Sequence, residues 1–276
     1  MALPRPAADR TCLVTGASSG IGADIARELA KRGLGVTLVA RREELLRDLA
    51  AKLHSEHGVR AEVIAVDLTD ADARAALPIL VGQMGLAIDV LVNNAGFSTT
   101  GAVHRSDHAR ELAMLRTNIE AVADLCALFL PGMVERGVGA VLNVASTAAF
   151  QPLPGQAGYA ASKSFVLSYT QAIGAELKGT GVSATVLCPG PVATGFGAAA
   201  GFSDEDAEAA LPKFMWLEAE EVARQAVDGV AAGRTVVIPG VANRVGARFA
   251  YLAPRRLLLP VLARQHPALK NLTKDR

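Results

Sequence analysis

The sequence predicts an α/β fold: a doubly wound parallel sheet of about seven strands with helices on both faces, in a single domain. Three observations lead there. Short runs rich in Val, Leu and Ile alternate with helical stretches of ten or more residues, the pattern of strands buried on both faces. The first run enters a glycine-rich turn that opens into a helix. Gly16, Arg41, Asp67, Asn93 and Ser146 each follow a strand, and ligands in such sheets lie at the carboxyl ends of strands.

Thr11 to Thr15 is the first strand, and it runs straight into Gly16-Ala17-Ser18-Ser19-Gly20-Ile21-Gly22 before the helical pattern Ile25-Ala26-Leu29-Ala30. Glycines let the backbone approach a pyrophosphate, and the free N–H groups at the helix start stabilise its charge. Gly16, Ser18, Ser19, Gly20, Ile21 and Gly22 are therefore candidate cofactor contacts. The next strand, Gly35 to Ala40, is followed by Arg41-Arg42, the first lying nineteen residues beyond Gly22. An acidic residue here would bind the ribose 2′-hydroxyl of NAD, and an arginine the 2′-phosphate of NADP. Ala40 followed by two arginines favours NADP(H) over NAD(H), although the same arginines could simply open the solvated helix Glu43 to His57.

Ala61 to Val66 is a third strand, ending at Asp67-Leu68-Thr69-Asp70. Asp70 or Thr69 can cap the next helix, while Asp67, with Leu68, stands where the adenine would lie. Ile88 to Val92 leads into Asn93-Asn94-Ala95-Gly96, which suits a tight turn over a cofactor or simply a satisfied loop. Val141 to Ala145 is a further buried run, and Ser146 ends it. Thirteen residues on, Tyr159 and Lys163 stand four apart in a helical segment, so both side chains share one face about 5–6 Å apart. A phenol has a pKa of about 10, and a nearby cation favours its ionised form. Lys163 can prepare Tyr159 for proton transfer, and the Ser146 hydroxyl can hold a carbonyl oxygen. An amphipathic pair without chemistry would show the same spacing.

Composition narrows the function classes. With 28 basic against 27 acidic residues the charge is close to balanced, and nothing suggests nucleic acid. Cys12, Cys126 and Cys188 are odd in number and widely spaced, reading as buried thiols of a reducing compartment and not as metal ligands. Met1 to Arg10 has no apolar core and is not a secretory signal, and no run approaches the eighteen or so apolar residues that cross a bilayer. The expected location is cytoplasmic, with a reservation about the C-terminus.

Together these stretches resemble the short-chain dehydrogenase/reductase family in its compact Rossmann-type form. Thr15-Gly16-x-x-x-Gly20-x-Gly22, Asp67, Asn93-Asn94-Ala95-Gly96, Asn118, Ser146, Tyr159-x-x-x-Lys163 and Pro189-Gly190 occur in family order and spacing, over roughly residues 9 to 240. The resemblance implies Tyr159 as general acid or base and Ser146 as hydrogen-bond partner of the substrate oxygen. It implies that Lys163 lowers the pKa of Tyr159 and holds the nicotinamide ribose, and that Asn118 positions a water relaying protons to that lysine. Asn94, Ala95 and Gly96 would line the cofactor, and Pro189, Gly190, Val192 and Thr194 would close around its nicotinamide end. The segments Ser106 to Leu130 and Ala157 to Lys178 correspond to helices that often form a dimer interface, implying a homodimer or homotetramer.

Residues 1–240 are expected to form the catalytic domain, with a substrate lid at about 190–216 carrying Phe196, Phe202, Phe214, Met215 and the only tryptophan, Trp216. Aromatics are only 4% of the chain, so this concentration, with Phe97, Phe150 and Pro152, suggests an apolar pocket. Residues 241–276 form a basic and apolar extension, with Arg244, Arg248, Arg255 and Arg256 among Phe249, Tyr251 and Leu252. It can pack on the domain, cross an oligomer interface, or contact an anionic membrane peripherally, and Pro254 and Pro260 break any long helix. The expected function is an NADP(H)-dependent reductase of a lipophilic ketone or 3-oxoacyl-type compound. The alternatives are a catalytically silent dinucleotide-binding regulator or scaffold and a membrane-surface lipid ketoreductase.

Overall fold

The computed structural model describes residues 3–194, 212–265 and 269. Seven parallel strands lie in the order β3-β2-β1-β4-β5-β6-β7: β1 Arg10–Thr15, β2 Val36–Ala40, β3 Ala61–Ala65, β4 Ala87–Asn93, β5 Gly139–Val144, β6 Val182–Leu187 and β7 Val236–Val237. The expected strands are present, with ends shifted by at most two residues. Helices α1 Gly20–Lys31 and α2 Glu43–His57 cover one face together with α7 Ala219–Ala231. The other face carries α3 Ala71–Gln83, α5 Ala121–Arg136 and α6 Ala157–Glu176.

Strand alternation divides the core into these two layers. Cys12 and Val14 pack with Leu29, Leu46 and Val227 on one side, and Leu13 packs with Leu77, Leu125 and Met133 on the other. Fully burying each such aliphatic side chain contributes about 1.5–3 kcal/mol. Asp70, not Thr69, caps α3, its carboxylate accepting from the Asp72 and Ala73 amides. All three cysteines are buried and unpaired.

The first of the two long helices is not regular. It runs as α4 His108–Leu115, a π-helical turn Arg116–Glu120, and α5. Against expectation, the segment His108–Arg136 is by length and composition apolar enough to cross a membrane. Its apolar surface has another use, since Met114, Leu125, Cys126, Phe129 and Met133 are buried within the fold. The C-terminal extension forms two helices, α8 Val241–Leu252 and α9 Arg255–Gln265, separated at Pro254. Pro260, expected to end a helix, lies inside α9. It stands in the middle of α9, where its missing N–H removes the bond to the carbonyl four residues earlier, at Arg256.

Arg74 ties α3 to the π-turn. Its side chain is 2% exposed, and it bonds the Leu68 carbonyl (2.7 Å), Asp124 (2.6 Å) and Glu120. It thereby joins the loop after β3 to the helix that carries Asn118. Removing these charge-assisted bonds in Arg74→Ala should cost about 2–3 kcal/mol, because Glu120 and Asp124 keep contact with water. Urea unfolding checks this, with Arg74→Lys recovering less than half, since one ammonium cannot reproduce the guanidinium fork. An unchanged midpoint in the alanine variant would show that the cluster does not brace the fold.

Candidate active site

The site begins where β1 and β4 separate. The Thr15 hydroxyl donates to the Val92 carbonyl (3.2 Å) and accepts from the Asn94 and Ala95 amides (3.0 Å each). The Asn94 side-chain amide donates back to the Thr15 carbonyl (3.0 Å) and the Gly16 carbonyl (3.4 Å). Gly16 takes the left-handed φ of 65°. A Cβ at Gly22 would lie 2.3 Å from Nδ2 of Asn94 and 2.5 Å from the Gly16 carbonyl oxygen. The turn thus packs directly on the Asn94 clasp and holds its backbone bare at the start of α1. A bare backbone at a helix N-terminus fits a dinucleotide pyrophosphate. Asn94 acts here through the turn, its Nδ2 being engaged by two backbone carbonyls.

Arg42 reaches the same turn, its Nη2 donating to Ser18 Oγ (2.8 Å) and Ser19 Oγ (2.9 Å). Arg41 is largely exposed and lies 4.0 Å from Asp67. The Asp67 carboxylate accepts from the amide and hydroxyl of Thr69 (2.9 Å each). The Thr69 amide is the main cause that holds the Asp67 carboxyl below the usual carboxylate range, against partial burial, with Arg41 adding less. Leu68 is buried beside it.

Ser146, Tyr159 and Lys163 converge at the end of β5. The Ser146 side chain hydrogen-bonds that of Tyr159, and its Oγ also accepts from the Ala148 amide (3.1 Å). Lys163 is 5% exposed; its Nζ donates to the Val144 carbonyl (2.9 Å) and lies 5.8 Å from the Tyr159 ring centre. Burial pushes the Tyr159 phenol up to about 12, opposed by the Ser146 bond. Burial also pulls Lys163 down to about 8. The expected lowering of the phenol by Lys163 is not among the causes of the Tyr159 shift. The two groups are buried together, and loss of hydration disfavours the charged form of each.

Asn118 occupies the π-turn and is fully buried. Its Nδ2 donates to the Phe97 carbonyl (3.0 Å) and Ser162 Oγ (3.1 Å), while its Oδ1 accepts from the Phe97 amide (3.2 Å). It staples the Gly96-Phe97 loop to α6. A Cβ at Gly96 would sit 2.9 Å from Asn118 Oδ1 and 3.4 Å from Lys163 Nζ, so Gly96 leaves the space between them open.

On the far wall, the Pro189 carbonyl accepts from the Thr147 amide (2.9 Å). Val192 pairs with Leu217, and Thr194 lies over Gly20, where a Cβ would come within 3.2 Å of its methyl. Ile21 packs against the α1-side core. Gly190 rests on Asn243, which sequence reasoning did not single out; a Cβ there would fall 2.4 Å from the Asn243 amide. Buried Asn243 donates to the Met215 (3.0 Å) and Pro239 (3.2 Å) carbonyls, bracing the chain at Met215 against the strand edge. A polar residue near the start of an apolar helix, three after Gly240, was the available signal.

The residues expected to line an aromatic pocket are described only in part. Phe97 and Trp216 are half-buried, Phe214 is exposed, and Phe196 and Phe202 lie outside the described residues. Phe150 and Pro152 instead line a cleft of about 500 Å³ with Ala157, Ala161, Tyr251 and Arg255. Ser146, Tyr159 and Lys163 are not among its lining residues. Among the described residues, no group of three His, Cys, Asp or Glu side chains is placed to hold a metal.

A parallel sheet with a bare glycine cradle at the β1/β4 separation, and a phenol, hydroxyl and ammonium at the same edge, defines an NAD(P)-dependent oxidoreductase of the CH–OH/C=O class. The family model described as short chain dehydrogenase matches residues 10–203, and the chain belongs to that family. A short-chain dehydrogenase from Sphingobium yanoikuyae in complex with NADPH is 33% identical, with a TM-score of 0.78 over 91% of this chain and 95% of that one. A variant of actinorhodin polyketide ketoreductase with NADPH is 34% identical, with a TM-score of 0.75 over 86% of this chain and 98% of that one. The very-long-chain 3-oxoacyl-CoA reductase of Anas platyrhynchos is 38% identical over 66% of this chain and 59% of its own length. The chain thus spans about three-fifths of that relative.

Proposed function

We propose that the protein is an NADP(H)-preferring reductase of an apolar, 3-oxoacyl-type carbonyl compound. The observation that carries this reading is the Ser146–Tyr159 hydrogen bond beside buried Lys163, at the sheet edge that also holds the glycine cradle. The ketoreductase and 3-oxoacyl-CoA reductase relatives favour an acyl substrate.

The residues divide the work. The turn from Gly16 to Gly22, with Ser18, Ser19 and Ile21, would hold the pyrophosphate, and Arg41 and Arg42 the 2′-phosphate. Asp67 and Leu68 would flank the adenine, Asn94 to Gly96 the middle of the cofactor, and Pro189, Gly190, Val192 and Thr194 its nicotinamide end. Bound NADPH supplies the hydride. Tyr159, a neutral phenol, gives its proton to the carbonyl oxygen while Ser146 Oγ donates a hydrogen bond to that oxygen. Lys163 offsets the phenolate charge that develops as the proton leaves. Asn118 would hold a water in the space beside Gly96, on the path to Lys163. A homodimer or homotetramer through the long helices agrees with the exposed Leu112 and Val134 on the first of them. A cytoplasmic, reducing location agrees with the buried, unpaired thiols.

Tyr159→Phe should slow NADPH oxidation over a panel of 3-oxoacyl thioesters and apolar ketones by about 10²–10⁴-fold. NADPH binding, read by fluorescence, should stay within severalfold; undiminished turnover would remove Tyr159 from the chemistry.

Lys163 sets a pH limb. Its ammonium is present below its pKa of about 8 and lost above it, so kcat/KM for NADPH, which reports the free enzyme, should fall as pH rises through about 8. Lys163→Arg, charged throughout, should move that limb upward even if the plateau drops. A limb at the same pH in this variant would assign the ionisation elsewhere.

Cofactor choice is tested by Arg41→Asp, which should raise KM for NADPH by about 10–100-fold, the loss of one charge-assisted contact, and leave NADH within a few-fold. Arg42→Ala also frees Ser18 and Ser19 and should weaken both cofactors. Equal weakening of the two by Arg41→Asp would show that it does not read the 2′-phosphate.

A further inference from the structure

Helix α8 has two apolar faces, and the fold uses only one. Asn243, Ala247 and Ala250 turn inward and are buried. On the opposite side Val241, Val245, Phe249 and Leu252 are 68%, 65%, 69% and 67% exposed. At 100° per residue these four fall within one arc of about 80° and make a continuous stripe. Arg244 and Arg248 flank that arc on one side, and both are exposed. In α9, Leu257 (65% exposed) and Val261 (47% exposed) are accompanied by exposed Arg256 and Arg264.

Charge decides what such a surface fits. From Gly229 to Gln265 the chain contains no Asp or Glu. Among the described residues, Arg244, Arg248, Arg256 and Arg264 form no ion pair. A second copy of this face would set arginine against arginine. An anionic bilayer surface meets both halves of the pattern: acyl chains receive the stripe, and headgroup phosphates receive guanidinium groups that snorkel beside it.

We propose that α8 and α9 lie on an anionic lipid surface, with Val241, Val245, Phe249 and Leu252 inserted and Arg244 and Arg248 at the headgroups. The same extension is anchored to the loop that follows Ser146. Arg255 donates to the Phe150 carbonyl (3.0 Å), and Tyr251 meets the Phe150 ring edge-on at 6.4 Å. Docking would therefore bring the Phe150 loop to the lipid boundary, which extends the apolar-substrate reading above. Vesicle binding needs no turnover, so either reading can fail alone.

The test is co-sedimentation of the full chain with vesicles of phosphatidylcholine alone and with about a third phosphatidylglycerol, at low and high salt. Binding is expected to the mixed vesicles, and to fall with salt. Arg244→Gln and Arg248→Gln should each weaken it about fivefold, and Val245→Glu with Phe249→Glu should abolish it. NADPH oxidation with a water-soluble carbonyl substrate should be retained in all of them. Absence of pelleting with anionic vesicles would overturn the proposal, as would equal pelleting of the double glutamate variant. If light scattering without lipid shows the glutamate variant falling to a smaller oligomer while vesicles are ignored, a second copy covers this face instead.

Discussion

The mutual clasp of Thr15 and Asn94 is the interaction on which the remainder of the site depends. In a parallel sheet ordered 3-2-1-4-5-6-7, the loops leaving β1 and β4 diverge to opposite faces and leave a crevice between neighbouring strand ends. The Thr15 hydroxyl and the Asn94 amide close the floor of that crevice with five hydrogen bonds among strand ends and turn. Once the floor is fixed, Gly16 and Gly22 must be glycine, because Asn94 and the turn's own backbone occupy the space a side chain would need. A bare phosphate cradle is thus a consequence of packing as much as of ligand binding.

The corner of Ser146, Tyr159 and Lys163 follows a different physical rule, in which two ionisable groups are buried side by side. Lys163 gives one hydrogen bond to a strand carbonyl, and Tyr159 has Ser146. Burial raises the phenol and lowers the ammonium, so each is shifted toward its neutral form. A neutral phenol is the state a proton donor needs, and an ammonium close to its neutral form responds strongly to nearby charge. Asn118 completes the corner by structure: its amide joins the Gly96-Phe97 loop to α6, and the π-turn places that amide there.

Much of this was legible in the sequence because it rests on local patterns. Strand, glycine turn and helix are consecutive, and Tyr159 and Lys163 share a helix face through their spacing alone. The strand ends that gather Gly16, Arg41, Asp67 and Ser146 follow from a parallel sheet. What was not legible depends on tertiary partners. The π-turn at Arg116–Glu120 has no composition of its own, and Asn243 gains its role only because Gly190 lies against it. Of the aromatic residues expected around an apolar pocket, Phe150 meets Tyr251 edge-on and Phe214 faces solvent, neither of which a local pattern shows, while Phe196 and Phe202 lie outside the described residues.

Asn243 links the strand edge to the C-terminal extension. It is buried, it touches Gly190 where the nicotinamide end would lie, and it holds the carbonyls of Met215 and Pro239. The chain at Met215, just after the expected lid, is fastened by this one side chain of the C-terminal extension. Because α8 also carries Tyr251 against Phe150, both the loop after Ser146 and the loop after Pro189 are held from the same helix. A change in how α8 is supported, whether by lipid or by another subunit, would reach both of these loops together and leave the Thr15–Asn94 floor untouched.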